Sequence, residues 1–539
     1  MRAAAGIVPV ILLWGLPLGA SLLAFVSIAF EPSAWSGILQ HPQLAKALTL
    51  SLWTGTAGLI LSLGGAVVIA MGFYGTDLWH RLQAFAAASL AVPHLAFAIG
   101  FGFLIMPSGL LTRLFIGGSA PPQWVTTQDP LGLSLIACLV LKETPFFIAM
   151  MWSILATGDR ALLLRDHWRG AASLGHGEGS IWLRVMLPQI LPRLLWPMVI
   201  VWVYGATVVD MALVIGPTQP APLAVIVWAD LNHADTSYNA RGFAGAMILT
   251  FSLASLGVAA YLLLLLAWAK LRRFMSDGPS ALKVPRMPAA LLAGLLVLIH
   301  GLVLILLAAM SFARHWPYPR LAPNGIGLAA WHNLFAGASP IGLSLALALT
   351  TSAAALGLAI CWFETVRTRF DRFLTIVSVG ALGLPAVVIA SGQYRLFLDL
   401  GLTGTFPGLF LAHFTPVFAY VFLVLQEPYR AFDPRFRAAA HGLNAGAFRF
   451  WASVKAPLLK APLAMAAAIG FAVGMVQFVP AQLIATGRYS TLPMEAVTRA
   501  SGSDRSLTAA YALALALLPA LAFLSAQMLG RPRWGQAWR

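Results

Sequence analysis

Four side chains carry charge or amide chemistry inside stretches that are otherwise apolar: Lys142, Glu143, Asp210 and Gln477. An ionisable group in a hydrocarbon setting costs about 2.5–3.5 kcal/mol on insertion scales, so it marks a polar path or a partner on a neighbouring helix. Lys142 and Glu143 are adjacent in sequence, and neighbours on a helix point about 100° apart rather than at each other. Gating or inter-helix pairing, and plain neutralisation by other helices, both stay open for them. Asp210 and Gln477 fit the lining of a polar path, and Asp210 equally fits a structural hydrogen bond. His94, next to Pro93, reads as a satisfied interior histidine rather than a ligand.

Other chemistries lack their residues. No Gly-x-x-x-x-Gly-Lys-[Ser/Thr] loop exists to cradle a nucleotide phosphate, and the chain has no Gly-Lys pair at all. No His-x-x-x-His or Cys-x-x-Cys spacing suggests a metal, and no Gly-x-Ser-x-Gly suggests a nucleophile. Cys138 and Cys361 fall in apolar runs and read as small buried residues. The expectation is no catalytic residue, no metal and no cofactor.

The elements that must position these side chains are membrane helices. The sequence is 60% hydrophobic and 10% charged, against about 25% charged in a soluble domain. Apolar runs of bilayer-spanning length recur along it. We expect an all-α polytopic protein with about twelve helices. They fall near 6–30, 46–73, 83–107, 131–157, 191–216 and 243–270, then 288–312, 341–363, 373–396, 403–426, 460–486 and 508–530. The first reads as an uncleaved helix rather than a signal peptide. The net charge of +16 sits in alternate loops, which is a topology signal and not a nucleic-acid stripe. The basic loops include Arg160 to Arg193, Arg272 to Arg286, Arg367 to Arg372 and Arg430 to Lys460. By the positive-inside rule they face the cytoplasm, and so do both termini.

The chain repeats. Residues 169–188 read RGAASLGHGEGSIWLRVMLP, and 438–457 read AAAHGLNAGAFRFWASVKAP. Aligning Pro188 with Pro457 puts Gly175 on Asn444, Trp182 on Trp451 and Val185 on Val454. Gly and Asn are the residues that most easily take the left-handed conformation ending a helix. Each copy therefore reads as helix, sharp turn, helix. Pro93 and Pro385 repeat in the third and ninth helices as well. The expected organisation is a half at 1–270 with its loop at 158–190, a linker at 271–287, and a half at 288–539 with its loop at 427–459. The two halves form parallel six-helix repeats.

On these residues the sequence resembles the binding-protein-dependent ABC importer permeases. Gly175 with Leu187-Pro188, and Asn444 with Ala456-Pro457, match that family's "EAA" loop. The family's acid falls on Arg169 and Ala438, and its two alanines on Gly170 and Ala171, then Ala439 and Ala440. The segments VYGATVVDMALVIGP and VQFVPAQLIATGRYSTLP follow the loops as in that family. Two halves in one chain are similar to the ferric-iron and thiamine branch. The resemblance implies that the loops couple to a separate ABC ATPase, two copies of it. It also implies a periplasmic substrate-binding protein, a place in the bacterial inner membrane among its lipids, and a substrate that is thiamine-like or iron. A secondary transporter of the major-facilitator type is the alternative, since it too has parallel six-helix halves.

Overall fold

The computed structural model describes residues 2–156, 158–276 and 282–530. Helices build the protein; among the described residues the strand-like pairing is one isolated antiparallel bridge, Ala313 to Ile326. Among the described residues nine helices are long and apolar enough to cross a bilayer, and three bent pairs raise that to twelve if each pair is one span. In lipid every backbone N–H and C=O needs an internal partner, which the helix supplies. The protein is an all-α polytopic membrane protein.

Four of the expected spans are interrupted. The third stops at Ala91, runs extended through Val92 and Pro93, and resumes as His94–Ile105. In the ninth, Thr368–Leu382 and Ala386–Asp399 diverge by 97° on either side of Pro385. A residue before proline avoids the helical region, so these prolines end helices instead of kinking them. The fifth ends at Thr207 and restarts as Asp210–Ile215. Three β-branched residues in succession, Thr207, Val208 and Val209, resist the helical rotamer there. The eleventh ends at Met475 and restarts as Val479–Ala485, with Pro480 in the new first turn. The sixth helix runs further than its apolar stretch, as Thr236–Ser276. At 1.5 Å per residue it is about 60 Å long, twice the hydrocarbon thickness. Lys270, Arg272 and Arg273 near its end favour continuation, because cations stabilise a helix C-terminus.

Packing divides the chain into two compact units. One holds residues 2–31, 331–507 and 513–530; the other holds the described residues of 32–330 and 508–512. Each unit thus contains the opening helix of the other sequence half. In the first unit Val10, Trp14 and Leu18 join a core with Leu358, Phe414 and Phe418. Trp14 Nε1 donates to the Thr415 carbonyl at 2.8 Å, and its ring lies 5.2 Å from Phe418. In the second unit Ala293 and Leu296, from Arg286–Phe312, join Ala66, Ile69, Phe147 and Ile148. Helices in lipid gain little from hydrophobicity against each other, so this close packing and the indole bond hold the exchanged helices.

The sequence repeat persists in the hydrogen bonds inside each unit. Leu223 N–H donates to Ser51 Oγ at 2.9 Å in one, and Leu492 N–H donates to Ser344 Oγ at 2.8 Å in the other. Gln128 N–H reaches the Ile215 carbonyl, and Gly404 N–H the Ile484 carbonyl, both at 2.8 Å. Leu223 and Leu492, like Ile215 and Ile484, stand as far apart as Pro188 and Pro457.

Candidate functional site

Each loop copy folds as a helical hairpin. The first has arms Gly158–Ser173 and Glu178–Ile190, and the second Arg435–Gly442 and Ala447–Leu458. The turn residues are left-handed, Gly175 with φ +83° and Asn444 with φ +53°. Around them the same cap closes both helices. His176 N–H donates to the Ala171 carbonyl at 3.2 Å, and Ala445 N–H to the Ala440 carbonyl at 3.0 Å. This is the bond of a Schellman cap, which satisfies a carbonyl the ending helix would orphan. One turn of π-helix follows in each second arm, Trp182–Met186 and Trp451–Lys455. Pro188 and Pro457 sit just beyond these turns. A proline ring crowds the carbonyl four residues back, and the wider π turn gives it room.

The two hairpins are held by different forces. In the first, Trp182 and Ile181 are fully buried with Met186 and Ile190. Tyr74 meets Trp168 at 5.7 Å and Trp182 edge-on at 5.5 Å. Ala171 is buried against this cluster, while Arg169 is exposed and sits 3.7 Å from Asp166. In the second, Ala438 and Ala439 are exposed, and the fixing groups are polar. Glu364 accepts from Lys455 at 2.6 Å, Arg437 at 3.2 Å and the Tyr429 hydroxyl at 2.7 Å. Trp451 Nε1 then donates to the Tyr429 oxygen at 2.9 Å. Beside this, Arg430 forks onto Asp371 at 2.6 and 2.9 Å and donates to the Phe363 and Val366 carbonyls. Leu187, Pro188 and Ala456 are partly buried, and Gly170 and Pro457 are exposed. Each tip carries an exposed leucine before the turn, Leu174 and Leu443.

The intramembrane residues separate into roles. Lys142 is buried and its ammonium donates to the Ser89 and Val92 carbonyls, both at 2.7 Å. Those carbonyls belong to the helix end that Pro93 breaks, so Lys142 is its C-cap, a cation at the negative end of the helix. Glu143 points elsewhere: its Oε1 lies 2.8 Å from His94 Nε2. His94 is one third exposed, and its ring lies 4.8 Å from Tyr204. Tyr204 donates to Met211 Sδ at 3.5 Å, spanning the break in the fifth helix. Asp210 opens the segment after that break, partly exposed and within electrostatic range of His94. The structure therefore groups His94, Glu143 and Asp210, and assigns Lys142 a bond of its own. Gln477 belongs to the other unit, where its Nε2 donates to the Val473 carbonyl at 3.0 Å.

Sequence reasoning missed Glu364 and Tyr429, which sit at helix ends without a pattern of their own. It also missed a Thr-Pro pair repeated in the fourth and tenth helices, Thr144-Pro145 and Thr415-Pro416, which the segments LKETPFF and AHFTPVF display. Thr415 Oγ1 accepts from buried Gln393 at 2.9 Å. The residues that could hold a metal form no cluster of three among the described ones.

Two helical units, each with a hairpin that turns on a left-handed residue and leads into a bent span, define a polytopic helical membrane protein with an internal repeat. No family model matches the chain. Over 538 residues it is 29% identical to the inner membrane ABC transporter permease protein YnjC of Escherichia coli (strain K12), covering 98% of each chain. That full-length likeness, together with the helical polytopic fold, supports an ABC transporter permease. The chain is a multi-pass inner-membrane transport subunit rather than an enzyme, and an ABC permease implies separate partner ATPase subunits. The full-length match also sets aside the secondary-transporter alternative.

Proposed function

We propose that this chain supplies the whole translocation path of an ATP-driven importer. The observation that carries the reading is the pair of hairpins, with left-handed turns at Gly175 and Asn444 and identical caps. One hairpin per sequence half suits one ATPase copy each, hence two copies per chain. ATP binding draws the copies together, the hairpins follow, and the spans behind them rock between outward and inward access. A periplasmic binding protein delivers the substrate. The hairpins, the linker and both termini face the cytoplasm, as the arginine bias supports. The path includes Asp210, Glu143 and Gln477, with Lys142 bracing the broken third helix beside it. The hairpin residues that meet or aim at the ATPase are Arg169, Gly170, Ala171, Gly175, Leu187 and Pro188, and Ala438, Ala439, Ala440, Asn444, Ala456 and Pro457. The acidic Asp210 favours a cationic substrate, and the resemblance to the ferric-iron and thiamine branch supports thiamine or iron as the first candidates.

The test is uptake into proteoliposomes holding the chain, its ATPase subunit and its binding protein. Labelled thiamine should accumulate only with ATP on the ATPase side, and ferric iron is the second probe. The purified chain alone should hydrolyse no ATP, because no loop cradles a phosphate. Hydrolysis by the chain alone, or uptake without the ATPase, overturns the proposal.

A further inference from the structure

The segment joining the two sequence halves lies, at its described end, against the first hairpin. Gly179 opens that hairpin's second arm, and its N–H donates to the Leu282 carbonyl at 3.0 Å. A Cβ on Gly179 would stand 2.7 Å from the Lys283 carbonyl oxygen and 2.9 Å from its carbonyl carbon. Backbone here touches backbone, and only glycine allows that approach. Val284 packs on the same apolar cluster as Ile181 and Trp182. Arg286 meets Glu178 at 3.0 Å, but both are well exposed, so this pair adds little. The end of the sixth helix grips the same arm: the Arg184 guanidinium stacks over Phe274 at 4.9 Å. The second hairpin differs at the matching place. Phe448 stands where the first has Gly179, and it is 80% exposed.

We infer that residues 282–286 are a positioning strap for the first hairpin. The strap and the hairpin's second arm move as one body, because a shared backbone bond and a contact with no room for a side chain join them. The surface that the first hairpin offers the ATPase is therefore composite, hairpin plus strap. Among the described residues the second hairpin has no such strap, and it is aimed through Glu364. The two docking surfaces are unequal, although the sequence repeat makes them look alike. This rests on the coupling role proposed above.

The test uses the full chain with its ATPase subunit and reads co-purification and ATP hydrolysis by the complex. Gly179→Leu drives a side chain into the strap. Replacing Val284 and Pro285 with glycine loosens the strap from its own side. Those two residues are partly exposed and lie outside the spans, so this variant carries the test if Gly179→Leu fails to accumulate. Each should lower hydrolysis at least fivefold at unchanged protein level. Combined, they should be no worse than the more severe of the two, because both break one interaction. Phe448→Leu, at the unstrapped position, should stay within twofold of the parent. Hydrolysis within twofold of the parent in either strap variant, or losses that multiply in the combination, overturns the strap. Gly175→Val separates the two ideas. If it leaves coupling intact, the coupling reading itself falls; if it uncouples while the strap variants behave as parent, the strap alone falls.

Discussion

Glu364 Oε1 lies 2.6 Å from Lys455 Nζ, and this contact fastens the second hairpin to the end of the helix Ser339–Thr365. The pair is mostly shielded, with side-chain exposures of 22% and 11%. Tyr429 shares the same oxygen and Arg437 takes the other, so removing the carboxylate deprives three donors of their acceptor at once. Leaving a shielded polar group unpaired costs about 1–3 kcal/mol. Glu364→Ala should therefore loosen the hairpin while the spans stay folded. Limited trypsin digestion should cut at Arg435 or Arg437 several-fold faster than in the parent. Equal cutting rates would show that the network does not restrain the hairpin. The exchange Glu364→Lys with Lys455→Glu should recover part of the protection.

Lys142 calls for a different outcome from that of a path residue. Its ammonium satisfies two carbonyls at the Pro93 break. Lys142→Met keeps most of the volume but leaves both carbonyls bare, at about 1–3 kcal/mol each. The variant should melt several degrees lower in detergent, by tryptophan fluorescence or light scattering. A normal melting point together with lost transport would make Lys142 a path residue instead of a cap.

Asp210 and Glu143 should affect transport and spare assembly. Asp210→Asn keeps shape and removes the charge, and uptake should fall about tenfold or more with protein level and ATPase co-purification unchanged. Glu143→Gln can still bond His94 through its amide, so it should be the milder change. Gln477→Ala, tested alongside, should lower uptake if its amide faces the substrate. Normal uptake by all three would confine these groups to structure.

Orientation has its own test. A reporter joined after Arg286 should score cytoplasmic, and one placed within 315–335 periplasmic. The reverse pattern would put the hairpins on the wrong side for any ATPase.

How much of this was legible in the sequence depends on the range of each interaction. The membrane helices were, since an apolar run needs only local composition. The left-handed turns were, because Gly175 and Asn444 advertise φ > 0 at matched positions. The breaks at Pro93 and Pro385 were half legible: the prolines were visible, but whether a helix kinks or stops depends on what caps it. At Pro93 the cap is Lys142, some fifty residues along the chain. The exchange of opening helices left no trace, because Trp14 and Thr415 meet across the whole chain and neither belongs to a motif. The Glu364 anchor was hidden for the same reason. Its partners Tyr429, Arg437 and Lys455 look like scattered surface residues until the fold assembles them.

The hairpin turn gives the sharpest prediction. At φ +83°, Gly175 occupies a region that costs an ordinary L-residue on the order of 1–2 kcal/mol. A β-branched side chain is the worst case there, so Gly175→Val should relax the turn and misaim the second arm. The built Cβ at Gly175 meets nothing within 4 Å, so any effect comes from the backbone and not from a clash. Asn444→Gly should be mild, because glycine takes the same conformation more readily than asparagine. Arg169→Ala should also be mild: its side chain is 78% exposed, its contact with Asp166 is long at 3.7 Å, and the matching residue is already Ala438. All three should accumulate normally, since the spans are untouched. ATPase co-purification and ATP hydrolysis by the complex should drop sharply in Gly175→Val alone. Full coupling in Gly175→Val, or its loss in Asn444→Gly, would mean that the left-handed turn does not aim the hairpin.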